Sequence, residues 1–220
     1  MSLVINSKGQ GMTSDRTRSR MVEKLREEGI KNESVLSALK TIPRHMFVDE
    51  ALNTRSYEMV SLPIGYGQTI SHPFIVARLC EHVLSENTLF RVLEIGSGCG
   101  YQAAILSQLA KQVFSIERNL NLLNSARIRL KKMGFRNIIL RHGDGYQGYE
   151  ANSPYDAIVV TAAAEFVPTA LINQLKSGGV LVMPVGVDNQ QLVKIIKTEA
   201  GIEKKSFERV NFVPMLSGLI

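Results

Sequence analysis

The feature of this 220-residue chain that most constrains its fold is a regular alternation of short apolar runs with segments of helical spacing. These runs have the length expected of strands and are mainly apolar, instead of apolar only at every second residue: 90–95, 113–116, 137–140, 157–160 and 180–185. Helical patterns lie between them, at 101–110, 119–133 and 167–175. Continuous apolar strands separated by helices are typical of a parallel sheet covered on both faces. The sequence therefore predicts an α/β fold with a doubly wound, mostly parallel sheet.

The first part of the chain predicts a helical cap on this sheet. Residues 1–14 are polar and show no periodicity, so we expect them to be disordered. An amphipathic helix is predicted over 16–28 and ends at a glycine. A second helix begins after Asn32, which takes the N-cap position, and Pro43 ends it.

The segment that joins the cap to the first strand of the sheet is unusual because it is apolar but not periodic. Residues 61–70 hold two glycines and a proline, which predicts a loop. Ser71 then takes the N-cap position of a predicted helix that reaches about Leu84, with Pro73 in its first turn.

The end of the chain predicts a β-rich extension of the sheet. Two β-rich runs between 190 and 213 flank a turn and indicate a hairpin. With the helical cap at 15–60 and a catalytic core at 61–220, we expect a single domain over residues 1–220.

Charge and composition exclude several classes of protein. The 26 basic and 20 acidic residues give a net charge of +6, but the cations are dispersed. The densest basic stretch, 127–132, alternates with apolar residues at helical spacing, which favours a solvated helix face over a nucleic-acid site. No uncharged apolar stretch reaches the length of about 18 residues that a membrane helix needs. Two cysteines cannot build a disulfide framework, and the first twenty residues contain no apolar signal core. We therefore expect a cytoplasmic protein that binds neither membranes nor nucleic acid.

The most informative local motif is a glycine-rich turn between the first predicted strand of the sheet and the helix after it. Gly96, Gly98 and Gly100 follow the pattern Gly-x-Gly-x-Gly, whereas dinucleotide-binding turns carry the third glycine one residue later. Glycines at such a turn let the backbone bend sharply and approach a ligand. Glu94 stands two residues before the turn, where an acid suits the ammonium group of a nucleoside that carries an amino-acid arm.

Two further acids follow the next two predicted strands. Glu117 ends the second strand and can accept hydrogen bonds from ribose hydroxyls, and Asp144 follows the third, just before Gly145. Ligands of open α/β sheets bind at these carboxyl ends of strands. The alternative is that Glu117 and Asp144 only cap helices. Taken with Glu94, the acids favour a neutral or cationic nucleoside such as S-adenosylmethionine.

Four segments together resemble the protein-L-isoaspartate O-methyltransferase family, over residues from about 21 to 216. The most specific is 62–73, Leu-Pro-Ile-Gly-Tyr-Gly-Gln-Thr-Ile-Ser-His-Pro, which other methyltransferases lack. The others are 92–102 around the glycine turn, 155–163, and the Phe-Val-Pro at 212–214. The resemblance implies a Rossmann-like class I S-adenosylmethionine-dependent fold.

The resemblance also implies a reaction and its residues. The methyl group of S-adenosylmethionine would pass to the free α-carboxylate of an isoaspartyl residue in an aged protein, leaving S-adenosylhomocysteine, and the ester would convert through a succinimide to aspartate. Ser71 would be the catalytic residue, and Thr69, Ser71, Val213 and Pro214 would bind the substrate. Isoaspartyl proteins and peptides would be the partners of a monomeric enzyme. The implied cofactor-binding residues are Gln68, Thr69, Ile70, Ser71, Glu94, Gly96, Gly98, Gly100, Tyr101, Glu117, Arg118, Asp144, Gly145 and Thr161.

Departures from the family pattern are small. Ser97 and Cys99 replace the usual threonine and serine in the glycine turn, Met215 stands where leucine is common, and 165–166 replaces proline-rich sequence. Only Met215 lies at the implied substrate end. Cys99 could be exposed and oxidisable without cofactor.

The implied chemistry needs neither a metal nor a general base. The four histidines show no metal-ligand spacing, and a carboxylate is already ionised at neutral pH. Placement of the carboxylate, with Ser71 donating a hydrogen bond to it, is then the main task. The open alternatives are another S-adenosylmethionine enzyme acting on a small molecule or RNA, and a non-catalytic nucleoside-binding module.

Overall fold

The computed structural model describes residues 9–84 and 89–220. Its helices are α1 (Asp15–Glu27), α2 (Glu33–Thr41), α3 (Pro73–Val83), α4 (Tyr101–Leu109), α5 (Leu120–Lys132) and α6 (Thr169–Asn173). Its strands are β1 (Leu62–Gly65), β2 (Gln68–Ile70), β3 (Leu89–Ile95), β4 (Ala110–Glu117), β5 (Ile138–His142), β6 (Tyr155–Val160), β7 (Leu175–Val185), β8 (Gln191–Thr198) and β9 (Gly201–Arg209). Short 3-10 turns cover Gly11–Thr13, Arg44–Phe47, Glu50–Arg55, Gly145–Gln147 and Glu150–Asn152.

The seven-stranded central sheet has the order β5-β4-β3-β6-β7-β8-β9. The pairs from β5 to β7 are parallel, and β8 and β9 add an antiparallel hairpin at one edge. The chain first winds outward from β3 to β5 and then returns to build β6 and β7 on the other side of β3. This arrangement confirms the doubly wound, mostly parallel sheet and the β-rich extension. It also creates a crevice at the carboxyl ends of β3 and β6, where ligands of open α/β sheets bind.

Both faces of the central strands are buried, which explains why these strands are mainly apolar. Neighbouring residues of β3 point to opposite faces, so Val92 belongs to one hydrophobic cluster and Leu93 to another. The first cluster also contains apolar residues of α1 and α2, such as Leu25 and Leu36. The N-terminal helices therefore pack into the same cluster as one face of the sheet.

The predicted loop at 61–70 is wrong, because this segment forms an antiparallel hairpin. Leu62 of β1 pairs with Ile70 of β2, and both side chains are buried. The turn between the strands takes positive φ at Gly65, Tyr66 and Gly67. Its glycines interrupt the alternation that would have indicated two strands, since each strand is only three or four residues long.

The predicted N-cap at Ser71 is also wrong. His72 caps α3, and its Nδ1 accepts a hydrogen bond from the Phe74 amide at 3.1 Å. Proline favours the first helical position, so Pro73 places the cap at the residue directly before it.

Other boundaries also differ from the prediction. The expected helix over 167–175 is only α6, because Leu175 already begins β7. The expected disorder at 1–14 lies in part outside the described residues. Within 9–14, Gly11–Thr13 forms a 3-10 turn and Ser14 caps α1. In the described ranges, no helix is long and apolar enough to cross a bilayer.

Candidate active site

A cleft opens at the carboxyl ends of β3, β4 and β6, and it encloses about 1190 Å³ with its open mouth included. Its walls come from the β2 end of the hairpin, the glycine turn, the residues after β4 and β6, and the segment 211–216. The cleft lies at the reversal of strand order between β3 and β6, where sheet topology predicts a ligand site.

The glycine turn has a backbone that only glycine adopts easily. Gly96, Gly98 and Gly100 have φ values of +96°, +50° and +88°. The Thr161 hydroxyl donates to the Gly96 carbonyl at 2.8 Å, and a Cβ at Gly96 would lie 2.4 Å from that hydroxyl oxygen. The turn therefore presents bare backbone to the cleft, close to the end of β6.

Glu117 is the acid that the structure places at the cleft. The residue is 7% exposed, and its carboxylate accepts the Gly98 amide on Oε2 and the Asn119 amide on Oε1, each at 2.9 Å. A carboxylate has about four acceptor positions, so two remain for a ligand. The chemistry of this group therefore fits a ribose diol beside the glycine turn, as S-adenosylmethionine would supply.

Glu94 does not reach the cleft. Its side chain is fully buried behind the turn, where Oε2 accepts the Ser115 hydroxyl and Oε1 has no hydrogen-bond partner among residues 9–84 and 89–220. Burial raises the pKa of Glu94 to about 8, and the negative charge of Glu117 adds to the effect. The predicted direct contact between Glu94 and a ligand ammonium group is therefore not available in this arrangement.

Asp144 also lies outside the cleft lining, although the next residue, Gly145, is part of it. Its Oδ1 accepts the Tyr146 amide at 2.9 Å and caps the turn Gly145–Gln147, and its Oδ2 accepts the Gly218 amide at 2.7 Å. Asp144 therefore does cap a helical turn, as the alternative interpretation expected, and this is one of its two contacts. The second contact ties it to the end of the chain.

The end of the cleft where the residues implied to bind the substrate lie combines the hairpin with the segment near Pro214. Thr69, Ser71, Val213 and Pro214 all line the cleft, and Pro214 is held by a bridge to Ala163 after β6. Within the described chain, the Ser71 hydroxyl makes no hydrogen bond, so it is available to a ligand. A polar group that is free at a concave site is a candidate for substrate contact.

The structure brings most of the predicted residues to this one cleft and leaves out Glu94, Gly100 and Asp144. Those that line it are Gln68, Thr69, Ile70, Ser71, Gly96, Gly98, Tyr101, Glu117, Arg118, Gly145, Thr161, Val213 and Pro214. Sequence reasoning missed His72, Asn119, Leu216 and Ile220, which also line the cleft. The position of Asn119 just after Glu117 could have indicated it, but no pattern pointed to Leu216 or Ile220.

The expectation that Cys99 is exposed is wrong. The residue lies in the turn but is only 6% exposed, and it packs into the hydrophobic cluster that contains α2 and α4. Burial raises the pKa of its thiol.

The fold and the cleft define a class I S-adenosylmethionine-dependent methyltransferase. The family model described as Protein-L-isoaspartate(D-aspartate) O-methyltransferase matches residues 16–219. This chain belongs to that family.

Related proteins show the same likeness. "Protein-L-isoaspartate O-methyltransferase 1" of Marinobacter nauticus is 50% identical over 212 residues, which cover 96% of this chain and 97% of the relative. A solved protein-L-isoaspartate O-methyltransferase is 28% identical with a TM-score of 0.84, covering 92% of this chain and 67% of the other. A Plasmodium falciparum structure assigned to the same class, in complex with S-adenosyl-L-homocysteine, is 25% identical with a TM-score of 0.76 and covers 90% and 98%.

Proposed function

We propose that this chain transfers the methyl group of S-adenosylmethionine to the α-carboxylate of L-isoaspartyl residues in damaged proteins and peptides. The observation that carries the proposal is that one cleft holds the glycine turn and Glu117 at one end and the Ser71 hydroxyl, unpaired within the described chain, at the other. The methyl ester then closes to a succinimide, and part of the succinimide opens to normal aspartate. The activity is therefore repair.

At the cofactor end, the chain's own residues bind a nucleoside. Glu117 accepts the ribose hydroxyls on the acceptor positions that Gly98 and Asn119 leave open. Gly96 and Gly98 let the amino-acid arm lie against bare backbone. When bound, S-adenosylmethionine supplies a methyl group on a positively charged sulfur. The complex of the Plasmodium falciparum relative with S-adenosyl-L-homocysteine supports this assignment.

At the acceptor end, the task is placement. The substrate carboxylate is ionised at neutral pH, so no residue has to remove a proton from it. Ser71 donates a hydrogen bond that orients the carboxylate, and Thr69 with the Val213–Pro214 backbone encloses it. Orientation of two reactants can contribute up to about 7–11 kcal/mol. Burial lowers the pKa of the neighbouring His72, so its ring is neutral and does not compete as a cation for the carboxylate.

The test is a methyl-acceptor assay on two peptides that differ only in an L-isoaspartyl or a normal aspartyl linkage. The wild-type protein should methylate only the isoaspartyl peptide. Ser71→Ala should lower kcat/KM by about 10- to 100-fold, the value of one hydrogen bond to a charged group. Ser125→Ala, on the exposed face of α5, is the matched control. Equal methylation of both peptides, or of neither, would contradict the proposal and favour a different acceptor.

We also propose that the enzyme acts as a monomer in a reducing compartment, the cytoplasm. One chain supplies both ends of the cleft, and Cys80 and Cys99 are free and buried. Light scattering during gel filtration should give a mass near 24.4 kDa. A dimer with altered acceptor activity on dilution would contradict the first part of this proposal.

A further inference from the structure

The segment 215–220, named the strap here, crosses the cofactor end of the cleft. At its first residue, the Met215 amide donates at 2.7 Å to the carbonyl of Ala163, which lies just beyond the end of β6. It then passes the end of β5, where Tyr146 donates its hydroxyl proton to the Met215 carbonyl at 3.1 Å. It ends beside β4, where the Ile220 amide donates to the Arg118 carbonyl at 2.9 Å. The strap thus connects the carboxyl ends of the three strands around the cofactor end.

Charged side chains hold the strap in place. Arg118 donates to the carbonyls of Ser217 and Gly218 at 3.1 and 3.0 Å. Asp144 accepts the Gly218 amide from the other side. Arg118 and Asp144, two of the predicted cofactor-binding residues, therefore bind the strap through their charged side chains.

The apolar side chains of the strap are not yet covered by protein. Leu216 is 51% exposed and Ile220 is 62% exposed, although both line the cleft. Burying such side chains is favourable. Glu117, which would hold the ribose, directly precedes Arg118, so a nucleoside bound there lies next to Ile220 and Leu216.

We propose that the strap is a wall of the cofactor site that closes on the nucleoside, and that Asp144 acts on cofactor binding by anchoring Gly218. The identity of the nucleoside rests on the proposed function. Since the residues from 216 to 220 are exposed and held mainly by polar contacts, the strap belongs to the low-stability parts of the fold. A ligand that covers Leu216 and Ile220 stabilises the closed position, and the closed strap slows release of the ligand.

Hydrogen exchange tests the closure without any measurement of activity. The probe is S-adenosylhomocysteine added to the full-length protein. The Gly218 and Ile220 amides should exchange at least about tenfold more slowly with the ligand, while those of the distant β8–β9 hairpin should not change. Unchanged exchange at both strap amides, at ligand concentrations that saturate the protein, would overturn the proposal.

A double-mutant cycle tests the anchor. Asp144→Asn keeps an oxygen for the Tyr146 amide but turns an amide donor towards Gly218, and a second variant lacks residues 217–220. Each should raise the Kd for S-adenosylhomocysteine at least about tenfold by calorimetry, and the combination should cost no more than the deletion alone. Asp49→Asn, at another aspartate that caps a 3-10 turn, is the matched control and should leave the Kd unchanged.

The possible outcomes separate the two proposals. Additive losses would show that Asp144 acts independently of the strap, and a Kd unaffected by the deletion would show that the strap is not part of the site. Either result overturns the inference. Strap protection by S-adenosylhomocysteine without isoaspartyl methylation would support the strap and refute the proposed reaction. If the wild-type protein does not bind S-adenosylhomocysteine, both proposals fail.

Discussion

Replacement of Glu94 by glutamine should stabilise the protein at neutral pH, although it removes an acid from the best-defined motif of the chain. The Glu94 carboxyl is fully buried, and among residues 9–84 and 89–220 its one hydrogen-bond partner is the Ser115 hydroxyl. Burial is the main cause that raises its pKa to about 8, from an ordinary value of 4.5. At pH 7 the folded protein therefore keeps a proton on Glu94 that the unfolded chain has released.

The size of the effect follows from these two pKa values. Because the folded-state pKa is the higher one, stability is full below about pH 4.5, falls as the pH rises, and levels off above about pH 8. Each pH unit in this window costs about 1.4 kcal/mol, so about 3 kcal/mol is lost between pH 4.5 and pH 7. Glutamine has the same shape and does not titrate. Glu94→Gln should thus match the wild type near pH 4.5 and exceed its free energy of unfolding by up to about 3 kcal/mol at pH 7.

Urea denaturation at pH 5, 6, 7 and 8 measures this difference directly. The gap between Glu94→Gln and wild type should widen by about 1.4 kcal/mol per unit up to pH 7. Glu199→Gln, on the exposed turn between β8 and β9, is the control and should change stability by less than about 0.5 kcal/mol at every pH. If Glu94→Gln is less stable than wild type at pH 7, or if the gap does not vary with pH, the buried carboxyl is ionised and the reasoning is refuted.

Three further experiments test local features of the fold. Gly96→Ala should lower the free energy of unfolding, measured in urea, by about 2 kcal/mol or more, because the new Cβ would lie 2.4 Å from the Thr161 hydroxyl oxygen and φ is +96°. Adding Thr161→Ala should relieve part of that loss, and strictly additive losses would contradict the clash. His72→Ala should lower the free energy of unfolding by about 1 kcal/mol through loss of the α3 cap, and Ser71→Ala by clearly less, so the reverse order would contradict the assignment of the cap. Burial raises the pKa values of both Cys80 and Cys99, so a thiol reagent should modify the native protein far more slowly than the urea-unfolded chain, and rapid native labelling would contradict this.

The fold could be predicted from the sequence wherever a local pattern decided the structure. The inner parallel strands β3, β4, β6 and β7 are buried on both faces over much of their length, so a mainly apolar run was a sufficient signal for each of them. The β1–β2 hairpin could not be predicted in the same way. Its two strands are short and meet at a turn with three residues at positive φ, so too few residues remained to show an alternation.

The candidate site shows the same division between local and distant information. The glycine turn was predictable because a strand, a turn and a helix follow each other directly in the chain. The pattern could place Glu94, Glu117 and Asp144 near strand ends, but not the direction of each side chain. Glu94 points behind the turn to Ser115, whereas Glu117 points towards Gly98 at the cleft.

The strap explains why Asp144 lies outside the cleft lining. The prediction for Asp144 assumed that an acid after β5 faces the ligand. This holds only if no other segment of the chain binds the carboxylate. Gly218 does reach it, from 74 residues further along the chain, and Arg118 meets the same segment across 100 residues. The strap has no periodicity, because only Met215 within it is buried. Contacts of this kind depend on the path that the chain takes after its last strand, and no local pattern records that path. The cleft walls that are built from strand ends are therefore predictable from local patterns, whereas the wall that covers the cofactor end is not.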